Sequence, residues 1–428
     1  MPRFAHVSDC HIGAWRDPRL RELNIQSFEK AYDKALEERV GFIVISGDLF
    51  HVNLPELESV RRVVAKLREA QEAGIPTYVV YGSHDYSPNA TAMIDILTTG
   101  KLLIKAVDAE ADESTVKLHY ITDEKTKAKL CGLSGRSYTL ERSYFEALDR
   151  ASLEEEKGFR IFILHSAIEE VKPASAAYGT GISASYLPTN LDYYAGGHIH
   201  QKIIEKLPGL GLVAYPGPLM GSTFTDLEIT AKGERRGFII VDFDEKVTNV
   251  QFCETQNREV LFLEINGENR TYREVEAELL ESIESIDPLE KIVLIRLYGI
   301  LSAGKVTDID FRGARLNLQT RGAEFIFINR RNLTSREAPQ IEVAGETPTE
   351  VEEKVLREAL NDFRIPKAIP ADTRKWAEAE LKGDKGVALA MDLLQVLKNE
   401  KVEGETTHDY EERLQQEVDA ILQGRMNQ

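Results

Sequence analysis

Cysteine is scarce in this chain. Cys10, Cys131 and Cys253 are the only three in 428 residues, and no two of them form a CxxC pair. So few and so widely spaced, they do not make a disulfide framework and fit a reducing compartment. Long apolar runs are missing as well: none approaches the roughly 20 residues that cross a bilayer. The first residues lack the pattern of a signal peptide. The cytoplasm is the expected compartment, with no membrane partner. Positive charge is short too, with 53 Lys and Arg against 71 Asp and Glu, a net of −18. A deficit of basic residues argues weakly against non-specific nucleic-acid binding. Net charge hides patches, however, and an enzyme that gathers carboxylates around metal ions can be acidic and still hold a polyanion through those ions.

The length exceeds what one hydrophobic core serves, so two or three domains are expected. Strands and helices alternate at the start: "RFAHVSD", a helix over 23–38, "GFIVIS", a helix over 55–73, then "PTYVVY". Such alternation implies a layered α/β domain. Later strands ("KLCGLSG", "RIFILHS", "LDYYAGGHIH", "GLVAYPG", "RGFIIVDF") follow at shorter spacing. That favours a mixed sheet or sandwich with helices outside. A break near 253–258 opens a smaller α/β unit, with a helix over 272–286 and a helical or turn stretch near 308–316. Residues 334–350 are polar and hold two prolines, as a linker does. Beyond them, 351–363, 386–399 and 410–422 carry apolar residues at helical spacing. From Thr334 to the end, 13 basic residues stand against 21 acidic ones, a net of −8, which is no basic arm for DNA. The expected division is 1–254, 255–333, a linker over 334–350, and a helical region over 351–428.

Six of the nine histidines fall in five short stretches: "SDCHIG" (Asp9, His11), "SGDLFH" (Asp48, His51), "GSHD" (Ser83, His84, Asp85), "ILHS" (His165) and "GGHIH" (His198, His200). In each, a strand runs into a glycine-rich or polar turn, which places the charged side chain at one rim of a sheet. Strand alternation would point Asp9 and His11 to one face, and likewise His198 and His200. Imidazole mixed with carboxylate suits Mn, Fe, Zn or a similar divalent ion and is too rich in nitrogen for a calcium site. The ligands suffice for two ions, which Asp48 could bridge at the roughly 3.5–4 Å used in phosphoester hydrolysis. His6 reads as a packed strand residue, and His119 and His408 as surface residues.

The order D-x-H, GD-x-x-H, G-x-H-D, H, G-H-x-H resembles the calcineurin-like metallophosphoesterase superfamily. "SDCHIG", "ISGDLFH" and "YPGPLM" after "GGHIH" resemble more narrowly the nuclease subunit of the DNA double-strand-break repair complex, the SbcD and meiotic-recombination type. The resemblance implies a layered β-sandwich flanked by helices (α/β, or α+β), a small α/β capping domain and a helical tail. It implies one metal on Asp9, His11, Asp48 and His200, and a second on Asp48, Ser83, His165 and His198, most naturally Mn2+. His84 would protonate the leaving oxygen with Asp85 orienting it, and His51 would stabilise charge on the phosphate. These assignments suit an imidazole near neutral pKa and an imidazolium beside a phosphate. The implied activity is a Mn2+-dependent 3′-to-5′ exonuclease and endonuclease on DNA ends. The implied partners are an SbcC-type coiled-coil ATPase, gripped by the C-terminal helices, and a second copy of the chain, met through 55–73 and 90–97. The family carries asparagine at position 83, and a serine hydroxyl is the weaker ligand, so a weakened second metal is expected. Two other readings are a phosphoesterase for a small diester and a weakly catalytic scaffold that holds DNA ends.

Overall fold

The computed structural model describes residues 1–85, 91–111, 115–135, 140–174, 180–336, 348–362, 381–399 and 407–426. Most of the expected linker, residue 90 of the proposed pairing segment, residue 363 and the side chain of His408 lie outside the described residues. Two compact units result, Met1–Ser335 and Arg336–Gln428.

The first unit opens with β1 (Arg3–Val7), α1 (Pro18–Glu37), β2 (Phe42–Ser46), α2 (Leu57–Glu72), β3 (Thr77–Val80), α3 (Met93–Thr99) and β4 (Ile104–Lys105). A short hairpin, β5 (Asp108–Ala111) and β6 (Val116–His119), leads to β7 (Ile121–Thr122), β8 (Lys129–Leu133), α4 (Leu140–Glu146), α5 (Arg150–Glu154) and β9 (Arg160–His165). Next come β10 (Tyr193–Gly197), β11 (Ile203–Lys206), β12 (Leu212–Tyr215), α6 (Phe224–Ala231), β13 (Gly237–Phe243) and β14 (Val247–Glu254). Two six-stranded sheets form, in the orders β14-β13-β1-β2-β3-β4 and β11-β12-β10-β9-β8-β7. The sandwich and mixed sheets expected from the sequence are present: β1, β2, β3 and β4 run parallel, while β13 and β14 are antiparallel.

Alternation explains why two faces are buried at once. In β1 and β2, Phe4, Phe42 and Val44 point between the sheets, whereas Ala5, Val7, Ile43 and Ile45 pack under the helices. A strand covered on both sides reads as a continuous apolar run. Within its sheet Phe4 stacks on Phe42 with centroids 5.0 Å apart, and across the sandwich it meets Tyr193 edge-on at 5.1 Å. Each such ring contributes about 1.5–3 kcal/mol by leaving water. Helix α1 begins earlier than apolar spacing suggested, because Asp17 caps it and Pro18 occupies its first turn.

A second sheet region, β15 (Val260–Asn266), β16 (Ile292–Leu301) and β17 (Phe325–Ser335), is parallel throughout and joined through α7 (Tyr272–Glu284) and α8 (Phe311–Thr320). Its helix-covered core holds Ile265, Leu279, Ile295 and Leu318. Its other side buries Ile292, Leu294 and Phe325 against Leu20, Leu23, Met220 and Leu227, so α1 and α6 meet the strands directly. The unit Arg336–Gln428 carries α9 (Pro348–Asp362), α10 (Asp384–Leu397) and α11 (Thr407–Met426). Ion pairs Arg357–Asp384 (2.7 Å) and Lys398–Glu352 (2.5 Å) tie α9 to α10 and its C-cap. Among the described residues, no helix is long and apolar enough to cross a membrane.

Candidate metal centre

Five parallel strands end at one rim, and each delivers ligands. Asp9 and His11 follow β1, Asp48 and His51 follow β2, and Ser83 to Asp85 follow β3. His165 closes β9, and His198 and His200 follow β10. The turns after β1 and β2 are zipped together by His11 N–H to the Asp48 carbonyl (2.9 Å) and His51 N–H to the Ile12 carbonyl (3.1 Å). Asp9, His11, Asp48 and His198 all have left-handed backbone, with φ of 50°, 42°, 52° and 82°. Non-glycine residues adopt that region at a cost of order 1–3 kcal/mol, and do so mainly where function over-determines them. This corrects the alternation argument. The strands stop at Val7 and Gly197, so left-handed turns rather than a pleat aim these side chains.

The ligand atoms of Asp9, His11 and His200 lie within 4.8 Å of one another, as do those of Asp9, Asp48 and His165, and those of His11, His51 and His84. His11 Nε2 is 3.1 Å from His200 Nε2 and 3.6 Å from Asp48 Oδ2. Asp48 Oδ2 is also 3.3 Å from His165 Nε2 and 3.5 Å from Ser83 Oγ. The His198 and His165 rings are 5.4 Å apart. All ten residues singled out by the sequence therefore reach one rim. Two ligands of one ion, each about 2.1 Å from it, stand about 3 Å apart at a right angle. The spacing of His11, His200, Asp48 and His165 has that form. His165 Nε2 is buried with no hydrogen-bond partner despite its nearness to Asp48. At 3.3 Å from Asp48 Oδ2, it stands at the separation of two ligands on one ion. The residues present thus fit a divalent-metal centre.

Hydrogen bonds fix the imidazole tautomers. The Ser46 carbonyl accepts from His165 Nδ1 (2.8 Å), Asp226 Oδ1 from His200 Nδ1 (3.0 Å), and the His51 carbonyl from His84 Nδ1 (2.8 Å). In the neutral form of each ring this makes Nε2 the acceptor atom, the one a metal would take. The carboxylates hold the frame too. Asp9 Oδ1 accepts the His198 N–H (2.9 Å), and Asp48 Oδ1 accepts the His84 N–H (2.8 Å). Burial alone would raise Asp48, but the His165 and His11 imidazoles beside it hold its carboxyl far below the usual range. Burial also opposes charge on His165, yet Asp48 and Asp9 push its pKa up to about 10. Burial, then His165, lowers His198 to about 4.

Asp85 requires a correction. Its carboxylate accepts from the backbone N–H groups of Gly82 (3.0 Å), Phe50 (3.1 Å) and Leu49 (3.3 Å), and it is 1% exposed. It stitches the turn after β3 to the turn after β2, and the His84 ring is oriented by the His51 carbonyl instead. Burial, then Asp48, raises Asp85 to about 6. His84 lies exposed at the open side, stacked on the His51 ring at 4.8 Å. His6 is wholly buried as expected, and His119 is half-buried beside Glu110.

Residue patterns did not point to Asp226, Ser46 or Arg236. Arg236, 1% exposed, donates to the carbonyls of His200 and Asp226 (the latter 2.7 Å) and to Thr230 Oγ1 (2.7 Å). Thr223 and Asp226 form a capping box at the start of α6, and T-x-x-D is legible as such in a sequence. That the same carboxylate turns to His200 is not. The glycines have a reason as well: a Cβ on Gly82 would lie 2.0 Å from Asp48 Oδ1, and one on Gly197 2.0 Å from the Ser46 carbonyl oxygen.

Residues 2–202, which carry most of this β-sandwich and the whole of its histidine and aspartate rim, match the calcineurin-like phosphoesterase family. That match covers 201 of the 428 residues, just under half of the chain. The chain's curated relatives include three archaeal proteins, each named DNA double-strand break repair protein Mre11. That of Archaeoglobus fulgidus is 27% identical over 374 residues, covering 83% of this chain and 80% of the relative. That of Methanopyrus kandleri is 28% identical, covering 62% of this chain and 60% of the relative. That of Sulfurisphaera tokodaii is 27% identical, covering 69% and 73%.

Proposed function

We propose that this chain is a Mn2+-dependent DNA nuclease, a 3′-to-5′ exonuclease and endonuclease that processes DNA ends in double-strand-break repair in the cytoplasm. The observation that carries this reading is the gathering of histidine and aspartate ligand atoms from five strand ends at one rim, with Asp9, Asp48 and His165 buried together. The names of the archaeal relatives supply the substrate class.

Asp9, His11, Asp48 and His200 would hold one ion, and Asp48, Ser83, His165 and His198 the other. Two divalent ions, when bound, polarise a phosphate and lower the pKa of a water between them. The chain's own residues do the rest. His84 faces the open side with Nδ1 tied to the His51 carbonyl, so in the imidazolium form Nε2 is the atom that would hand a proton to the leaving oxygen. His51, half-buried beside His84, stands where charge develops on the phosphate. Asp85 acts through the backbone by holding both turns in place.

We divide the chain into a phosphoesterase domain (1–254), a capping domain (255–333), a linker (334–350) and a helical region (351–428) that grips an SbcC-type ATPase. Val52, Leu54, Leu57 and Ile96 are exposed apolar residues at and beside α2 and α3, which supports a homodimer through this face.

The test is a metal analysis with a nuclease assay in Mn2+ and in Mg2+, on the chain as it stands and on Ser83→Asn. Two ions per chain and Mn2+-dependent cleavage of duplex ends are expected, with Ser83→Asn tightening the second ion. No cleavage by either form refutes the nuclease reading and favours the scaffold. Cleavage of a model diester but never of DNA favours a small-ester phosphoesterase.

A further inference from the structure

One buried histidine is used by nothing above. His6, wholly buried on β1, faces the space between the two sheets. Its Nδ1 is 2.9 Å from the Tyr193 hydroxyl on β10, and its Nε2 is 2.8 Å from Ser46 Oγ on β2. Ser46 Oγ donates to the Gly196 carbonyl at 3.0 Å. With its one proton so placed, Ser46 Oγ accepts from His6, and His6 therefore carries its proton on Nε2. Its Nδ1 then accepts from Tyr193 O–H. The chain has one direction, Tyr193 to His6 to Ser46 to Gly196, and every donor in it meets an acceptor.

This chain crosses from one sheet to the other and back beneath the metal centre. Ser46 carries, two residues on, Asp48; its own carbonyl accepts from His165 Nδ1 at 2.8 Å. Gly196 precedes His198 by two residues. The sheets approach closely here: a Cβ on Gly197 would sit 2.0 Å from the Ser46 carbonyl oxygen. The backbone of Ser46 is thus the point where the Asp48 strand and the His165 and His198 strands are registered against each other.

We infer that His6 is a positioning residue for the second metal site: through Ser46 it fixes the separation of Asp48 from His165 and His198. This rests on the two-metal reading above. The first-metal pair His11 and His200 is held separately, by the turn after β1 and by Asp226. Outer-sphere hydrogen bonds of this kind are worth roughly 10- to 100-fold in metal affinity.

The experiment titrates Mn2+ calorimetrically into the full chain and into His6→Leu, His6→Gln and Tyr193→Phe, and follows the dinuclear Mn2+ signal by electron paramagnetic resonance. His6→Leu should weaken the second ion by roughly 10- to 100-fold, weaken the first, which shares only Asp48 with it, clearly less, and alter the spin-coupled signal. His6→Gln, whose amide N–H reaches toward Ser46, should restore most of the loss. Tyr193→Phe removes one hydroxyl and keeps the ring, so it should weaken the second ion in the same direction, and it carries the test if His6→Leu does not fold. If the unsubstituted chain binds fewer than two ions, the two-metal reading fails and this inference with it. If that chain binds two and the folded variants bind both as tightly, or lose both equally, this inference alone is overturned.

Discussion

Replacing Asp226 by asparagine puts the support of His200 to a sharp test. One carboxylate oxygen of Asp226 accepts from His200 Nδ1 at 3.0 Å. The other accepts from Ser222 N–H, Ser222 O–H and Thr223 N–H, each at 3.0 Å. Donors thus face both oxygens, and the single NH2 group of asparagine must confront donors whichever way it turns. If it faces His200, the ring loses its acceptor and with it the tautomer that carries the proton on Nδ1. If it faces Ser222 and Thr223, the start of α6 loses its box. Burial opposes charge on Asp226, but His200 and then Arg236 hold its carboxyl well below the usual range, so the wild-type acceptor stays ionised at any working pH. Asp226→Asn should lower Mn2+ affinity at the His200 site by roughly 10- to 100-fold, about 1.4–2.7 kcal/mol. Weakened capping adds a stability loss of about 1 kcal/mol. Calorimetric Mn2+ titration reads the first, and thermal unfolding in excess chelator reads the second. Ser222→Ala is the control, since it removes a donor and keeps the His200 contact, and it should leave Mn2+ affinity alone. Unchanged binding of both ions by Asp226→Asn would refute the assignment of Asp226 to His200.

Two further outcomes follow from the same geometry. Gly82→Ala places a methyl group 2.0 Å from Asp48 Oδ1 and 2.2 Å from its backbone nitrogen, so Asp48 must move. Cleavage and second-ion binding should both be lost while far-ultraviolet circular dichroism is kept; a fully active Gly82→Ala would show that the turn has slack. Acid should destabilise the protein partly through His6, whose pKa burial lowers from 6.5 to about 3. The unfolded chain binds that proton below pH 6.5 and the folded chain does not until about pH 3. Stability is therefore present above pH 6.5 and drains as pH falls toward 3, with about 2 kcal/mol gone by pH 5. Urea unfolding at pH 7 and pH 5 should show His6→Leu losing less than the unsubstituted chain; equal losses would remove His6 from the account.

The rim of ligands was legible because each lies at the end of an apolar strand, where periodicity breaks into glycine and charge. The longer helices were legible within a few residues for the same reason, α1 being misjudged where a cap, not a hydrophobic residue, sets the start, whereas the short α4, α5 and α6 were not read. What periodicity does not convey is which loop leans on which. Asp85 follows His84 in sequence, and adjacency suggested a partnership. In the fold its carboxylate meets three backbone N–H groups instead, because a buried acceptor goes to the nearest unpaired donors and these belong to the turns after β2 and β3. Asp226 and Ser46 were invisible for the opposite reason: the residues they orient are distant in sequence, His165 lying 119 positions from Ser46.

Ser83 shows how the two kinds of information meet. Composition of the turn marks it as the weak ligand, and the structure gives that weakness a shape. Its Oγ stands 3.5 Å from Asp48 Oδ2, beside the carboxylate shared by both proposed ions, and its side chain is exposed. The backbone around it is not altered to suit a serine: Gly82 still donates to Asp85, and His84 N–H still reaches Asp48 Oδ1. A site whose frame is intact and whose one departure is at an exposed edge loses affinity for one ion before it loses its architecture. On the proposed two-ion reading the departure would bear on the strength of the second metal and leave the placement of His84, His165 and His198 as the fold dictates.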